Sequence, residues 1–199
     1  VQSVTDMSGM FRDSAFNRDI GGWDTSGVTT MNMMFKGNSV FNQDIGGWAV
    51  HSVVDMSEMF FSTSAFDQDI GAWDTSSVRS MYYMFKDASR FNQDIGNWAV
   101  HSLTDMHSMF HNARSFNQNL GWCVDKVDRH TNFPTVFHNT QCKSKDRRNF
   151  FCGVVHLDSC PTPAPTDAPT GIPAAPTTAP TRLCPYKAHA YSGEAFPWG

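Results

Sequence analysis

Apolar residues recur along this chain in five copies of one pattern. Tryptophans end the copies at Trp23, Trp48, Trp73, Trp98 and Trp122, in steps of 25, 25, 25 and 24 residues. Four further columns keep nearly the same step: a single Met (7, 31, 56, 81, 106), a Met-Phe pair (10–11, 34–35, 59–60, 84–85, 109–110), a Phe (16, 41, 66, 91, 116) and an Ile or Leu (20, 45, 70, 95, 120). A fixed period of about 20 to 50 residues is typical of repeat proteins, in which each unit covers the apolar face of its neighbour.

Within one copy the pattern predicts two kinds of local structure. Residues 78–85 place Val, Met, Met and Phe at helical or 3₁₀ spacing, and the polar side chains of residues 74–77 can cap that turn. Residues 91–95 alternate as in a strand, and Gly96 marks the bend that follows. We therefore predict an α/β solenoid of five coils of about 25 residues, each with a short helical turn and a short parallel strand.

Four positions around each Met-Phe pair change their chemistry from copy to copy. Such variation at a fixed place indicates a solvent-facing surface, where a partner would bind. We call these positions the variable face: residues 8–9, 12–13, 32–33, 36–37, 57–58, 61–62, 82–83, 86–87, 107–108 and 111–112. The candidate partner-binding residues on it are Tyr82, Tyr83, Lys36, Lys86, His107 and His111.

Composition and charge exclude several classes of protein. The 199 residues carry a formal net charge of −4, too small to direct the chain to nucleic acid. No run of apolar residues approaches the roughly 18 that a membrane-spanning helix needs, so no membrane insertion is expected. Val1 already lies inside the first repeat, which leaves room for a signal peptide or further coils upstream.

No combination of residues predicts catalysis. An active site needs a few unlike groups around one point, whereas a repeat array offers the same groups again and again. The chain holds no G-x-S-x-G, Walker, H-E-x-x-H or G-x-G-x-x-G motif. We therefore expect no enzymatic activity and no cofactor.

Two sets of side chains invite an ion-binding interpretation. Columns of Asn and Asp at residues 17, 42, 67, 92 and 117 and at residues 19, 44, 69, 94 and 119 can hold Ca²⁺ between coils, but a hydrogen-bonded structural ladder is favoured. His107 and His111 would share one face of a helix, yet no third ligand is in register, so surface histidines are favoured over a metal site.

The last third of the chain has a different composition. All five cysteines lie there, at Cys123, Cys142, Cys152, Cys160 and Cys184, which predicts disulfides in an oxidising compartment, with free thiols as the alternative. Residues 161–183 are rich in Pro and Thr and predict a disordered stalk. We divide the chain into a repeat array (1–127), a cysteine-containing cap (128–160), the linker (161–183) and a tail or further module (184–199).

The motif V-x-x-M-x-x-M-F followed by A-x-x-F-N-Q-D-I-x-x-W-D-T-S resembles the BspA-like leucine-rich-repeat surface proteins, in the subgroup known as DUF285 or mycoplasma-type lipoprotein repeats. The resemblance covers about residues 1–127 and implies a leucine-rich-repeat-like fold at the cell surface or outside the cell. Trp122-Cys123-Val124 is similar to the end of such arrays, where a later Cys-Pro closes the cap, so Cys123 is expected to pair with Cys160. Cys142 would then pair with Cys152, and Cys184 outside this segment.

The resemblance implies adhesion or recognition of a protein or glycan, without catalysis. Two alternatives stay open at this point: a structural wall or matrix element with no discrete ligand, and a repeat appendage of a larger enzyme.

Overall fold

The computed structural model describes residues 4–128, 133–142 and 151–156. In these residues the regular elements are strand β1 (Cys123–Val124), helix α1 (Phe133–Val136), a 3₁₀ turn (Phe151–Gly153) and strand β2 (Val155–His156). Strands β1 and β2 pair in parallel. No helix in the described part of the chain is long and apolar enough to span a membrane. The predicted linker (161–183) and tail (184–199) lie outside the described residues.

The predicted α/β solenoid, leucine-rich-repeat-like with a helical turn and a strand in each coil, is wrong. The coils contain turns and isolated parallel bridges in place of helices and strands. The reason lies in the backbone: two residues in each coil, four apart, have positive φ, which ends any α-helix and costs a non-glycine residue roughly 1 kcal/mol or more. These residues are Gly9 and Asp13, Met33 and Gly37, Glu58 and Ser62, Tyr83 and Asp87, and Ser108 and Asn112.

In the same segment, successive backbone N–H groups donate alternately to the next coil and to a carbonyl of their own coil, and the first kind of bond joins the coils. In the second coil the N–H groups of Met33 and Phe35 donate to the carbonyls of Ser57 and Met59 in the third coil, each over 2.9 Å. Between them, the N–H of Met34 turns back to the carbonyl three residues earlier, over 3.2 Å. The other coils repeat this alternation, so every second N–H group binds the next coil and the hydrogen-bond pattern of a helix cannot form.

Side chains also replace backbone groups where a strand is predicted. The N–H of Asn92 donates to Oδ1 of Asp67 over 2.9 Å, and the N–H of Asp67 donates to Oδ1 of Asn42 over 2.9 Å. Gln93 then donates from Nε2 to the Asp67 carbonyl over 2.9 Å. Because a carboxylate or amide oxygen takes the place of the neighbouring main-chain carbonyl, no strand ladder forms here. The column is a structural ladder, the interpretation that the sequence favours.

The apolar columns form the core as predicted, except at the N-terminal end. Within each of the later coils two Phe rings stack with centroids 3.8 to 4.1 Å apart. Between coils the rings of the Met-Phe column follow one another at 5.5 to 5.6 Å. The tryptophans of the second to fifth coils are 2 to 3% exposed, whereas Trp23 is 38% exposed.

The glycine after each Asp-Ile pair permits close approach of the next coil. Gly46 donates its N–H to Oδ1 of Asp44 over 2.9 Å. A Cβ atom on Gly46 would lie 2.6 Å from the carbonyl oxygen of Asp69, whereas one on Gly47 would meet nothing within 4 Å. The first glycine of the pair is therefore required by packing.

The predicted cap (128–160) begins with a partial sixth coil. Phe110 donates its N–H to the carbonyl of Val136 over 2.9 Å, and its ring stacks on Phe137 at 5.3 Å. Cys142 and Cys152 form a disulfide with Cα atoms 5.4 Å apart, as predicted. Cys160, the expected partner of Cys123, and Cys184 lie outside the described residues.

Candidate recognition surface

The variable face lies on the segment with alternating N–H groups. The second residue of each variable pair is the one with positive φ, so the same backbone conformation recurs at these positions in every coil. The face is less exposed than the sequence predicts: most of its side chains are half-buried, because residues of successive coils cover one another. Ser108 is buried, at 4% exposure.

Two lysines and a phenylalanine form the centre of this face. Lys36 and Lys86 each place Nζ 4.9 Å from the ring centroid of Phe61, one from the coil before it and one from the coil after it. Lys36 also forms an ion pair with Glu58. Phe61 thus separates two ammonium groups while attracting both through its ring. Phe61 and Glu58 belong to the variable face but are absent from the candidates that the sequence singles out.

Two tyrosines and a histidine continue the cluster. The rings of Tyr82 and Tyr83 stack at 4.0 Å, and His107 packs against both at 5.7 and 5.6 Å. Lys86 lies with Nζ 4.6 Å from the Tyr83 centroid, which connects this group to the lysine pair. A side-chain hydrogen bond to Tyr83, together with burial, raises the pKa of Tyr82 to about 12. The Tyr82 phenol therefore stays neutral at physiological pH and keeps its hydrogen-bonding proton.

His111 lies apart from His107 and contacts the partial sixth coil. Its Nε2 is 3.0 Å from Nδ1 of His138, at equivalent positions of neighbouring coils. Burial, followed by the charges of His138 and Lys86, lowers the pKa of His111. The shared helix face predicted for His107 and His111 does not exist, since this segment is not helical. In the described residues, no three or more His, Cys, Asp or Glu side chains are grouped as metal ligands.

The structure therefore brings five of the six sequence-predicted residues into one cluster and places the sixth, His111, beside the cap. Sequence reasoning missed His138, although a signal for it exists. Residues 136–139 read Val-Phe-His-Asn, which repeats the Met-Phe-His-Asn of residues 109–112. Asn139 has positive φ, as Asn112 does, and donates from Nδ2 to Oδ1 of Asn112 over 2.8 Å.

These features define a repeat protein built from stacked coils of turns, with a variable aromatic and cationic face on one side. Residues 1–72 and 46–150 match the family described as "Mycoplasma protein of unknown function, DUF285". The two matches together cover more than half of the chain, so the chain belongs to this family. No curated protein and no solved structure matches the chain.

Proposed function

We propose that this chain is a non-enzymatic recognition module of a cell-surface or secreted protein, and that it binds a protein or glycan through the variable face. One observation supports this above all. The side chains of the face change from coil to coil, while the backbone beneath them keeps the same hydrogen bonds and the same positive φ angles. A constant frame with varied side chains suits a surface that serves contacts with a partner.

The aromatic cluster provides the anchor for such contacts. Aromatic residues that are already held in place lose little conformational freedom when a partner binds. Tyr82 and Tyr83 are half-buried, stack on each other and pack against His107, so their rings are restrained before binding. The nearby Lys86 adds a cation beside the same rings. The cluster therefore combines an apolar platform with hydrogen-bonding and charged groups at its edge.

The cell-surface assignment rests on the resemblance of the repeat motif to BspA-like surface proteins and on the Cys142–Cys152 disulfide, which suits an oxidising compartment. The non-enzymatic assignment rests on the repetition of equivalent groups along the array. An extended row of similar coils is better suited to many separate contacts with a partner than to forming one enclosed reaction site.

A double substitution of the tyrosines tests the proposal. Tyr82→Ser with Tyr83→Ser copies residues that the array already holds at the equivalent positions, since Ser57 corresponds to Tyr82 and Ser108, with φ of 50°, corresponds to Tyr83. We expect the variant to fold with a lower urea midpoint than the unmodified chain, because it loses the ring contacts among Tyr82, Tyr83 and His107. Its binding to an array of immobilised glycans and extracellular-matrix proteins should weaken at least roughly tenfold relative to the unmodified chain.

Val40→Ser is the matched control, because Val40 is exposed but lies outside the variable face. It should bind as the unmodified chain does. Equal binding by the tyrosine variant would refute the role of the face. Failure of the unmodified chain to bind any component would favour a structural element without a ligand.

A further inference from the structure

Two histidines meet at the boundary between the repeat array and the cap. His111 belongs to the fifth coil and His138 to the partial sixth coil, and Nε2 of the first lies 3.0 Å from Nδ1 of the second. The ring centroids are 4.8 Å apart and the ring planes differ by 48°, so the two rings are inclined to each other. Stacking of the coils thus brings together two imidazole nitrogens from residues that are 27 positions apart in sequence.

Backbone and side-chain hydrogen bonds on both sides of the pair hold it in register. On one side, Phe110 donates its N–H to the carbonyl of Val136 over 2.9 Å. On the other, Asn112 donates its N–H to the carbonyl of His138 over 2.8 Å. Nδ2 of Asn139 donates to Oδ1 of Asn112 over 2.8 Å. The main chain therefore presents both imidazoles in fixed positions, which reduces the ordering that a shared ligand requires.

The separation of the two nitrogens suits two ligands of one metal ion. Bonds from zinc to imidazole nitrogen are about 2.0–2.1 Å long, so two such ligands at 90° stand about 3.0 Å apart, and two at the tetrahedral angle stand about 3.4 Å apart. The 3.0 Å between His111 and His138 lies at the short end of this range. An ion therefore fits against both nitrogens with little movement of either ring.

Both imidazoles must present a lone pair to such an ion. Burial, followed by the charges of His138 and Lys86, lowers the pKa of His111, which favours the neutral ring that a metal needs. His138 is exposed and His111 is half-buried, so water reaches the pair. The ring that donates the hydrogen bond between them moves that proton to its other nitrogen through water. Two bonds to the metal then replace one hydrogen bond, and the neutral pair loses no net proton.

We infer that His111 and His138 form a binding site for a divalent metal ion of the kind that prefers imidazole ligands, such as Zn²⁺. In the part of the chain that the structure describes, no third His, Cys, Asp or Glu completes a ligand set, so water molecules fill the rest of the coordination shell. Because one ligand comes from the array and the other from the partial sixth coil, the ion links the two parts. It binds the folded chain in preference to the unfolded chain and stabilises it.

Equilibrium dialysis of the full chain against Zn²⁺ tests this inference, with free thiols first blocked by iodoacetamide so that they do not bind the ion. We expect His138→Asn and His111→Asn each to weaken Zn²⁺ binding at this site at least about tenfold, since even the loss of a residue that supports a ligand costs that much. Zn²⁺ should also raise the urea midpoint of the unmodified chain. Mg²⁺, which prefers oxygen ligands, should not.

His51→Asn combined with His101→Asn is the matched control, because both of these histidines are exposed and lie in other coils. This variant should keep both the Zn²⁺ affinity and the shift in the urea midpoint. Unchanged Zn²⁺ affinity in His138→Asn would overturn the inference, and so would an equal loss in the control variant or an equal shift with Mg²⁺. If His111→Asn does not fold, His138→Asn decides, since His138 is exposed.

Discussion

Replacement of Phe66 by Ala should cost about 3–5 kcal/mol of unfolding free energy, the usual range for a buried Phe. Phe66 is completely buried, and its ring stacks on Phe60 at 4.0 Å and lies 6.0 Å from both Phe41 and Phe91. The substitution removes one ring of the Phe column and leaves a cavity between the neighbouring coils. Each lost aromatic pair adds about 0.5–1.5 kcal/mol to the cost of losing buried apolar surface. We therefore expect the loss of unfolding free energy to lie in the upper part of the range.

Phe16→Ala is the matched control in the same column. Phe16 is only partly buried, and its stacking partner is Phe11 at 3.9 Å. It should therefore lose less than half as much stability as Phe66→Ala. Urea unfolding, monitored by tryptophan fluorescence, measures the loss of unfolding free energy in both variants. The comparison is valid if the dependence of the unfolding free energy on urea concentration has the same slope in both variants and in the unmodified chain. Equal losses in the two variants, or a loss under about 1 kcal/mol for Phe66→Ala, would refute the account of the core.

Three further results are expected. Gly46→Ala should lower stability by about 1–3 kcal/mol through overlap with a carbonyl of the next coil, and Gly47→Ala, which has open space, should not; equal urea midpoints would contradict the packing argument. Removal of the Cys142–Cys152 disulfide, which closes a separation of 10 residues, should cost about 2–3 kcal/mol, as measured by urea unfolding with and without reductant. Burial lowers the pKa of His111 below its ordinary value of 6.5, so the unfolded chain binds a proton at this residue more readily than the folded chain does, and the unfolding free energy should fall as the pH drops below 6.5. His111→Asn should weaken this pH dependence. An unchanged pH dependence in that variant would exclude His111 as its source.

The local backbone differs from the sequence prediction for a reason visible in one segment. Residues 78–85 have helical spacing of apolar side chains, and this spacing is compatible with a run of turns as well as with a helix. Tyr83 has positive φ, although nothing in its side chain favours that conformation. Hydrogen bonds to the next coil hold it there, and these bonds form only when the coils are stacked. A single coil considered alone therefore cannot reveal this conformation.

By itself the sequence determined the period and the columns that form the core, and it favoured an Asn ladder over an ion site. It could do so because burial and repetition leave a periodic record in residue type. Only the tertiary structure decided the path of the backbone, the position of Phe61 between two lysines and the contact of His111 with His138. These depend on N–H groups and side chains that find their partners about one coil away in sequence, so each is fixed only when the neighbouring coil is in place.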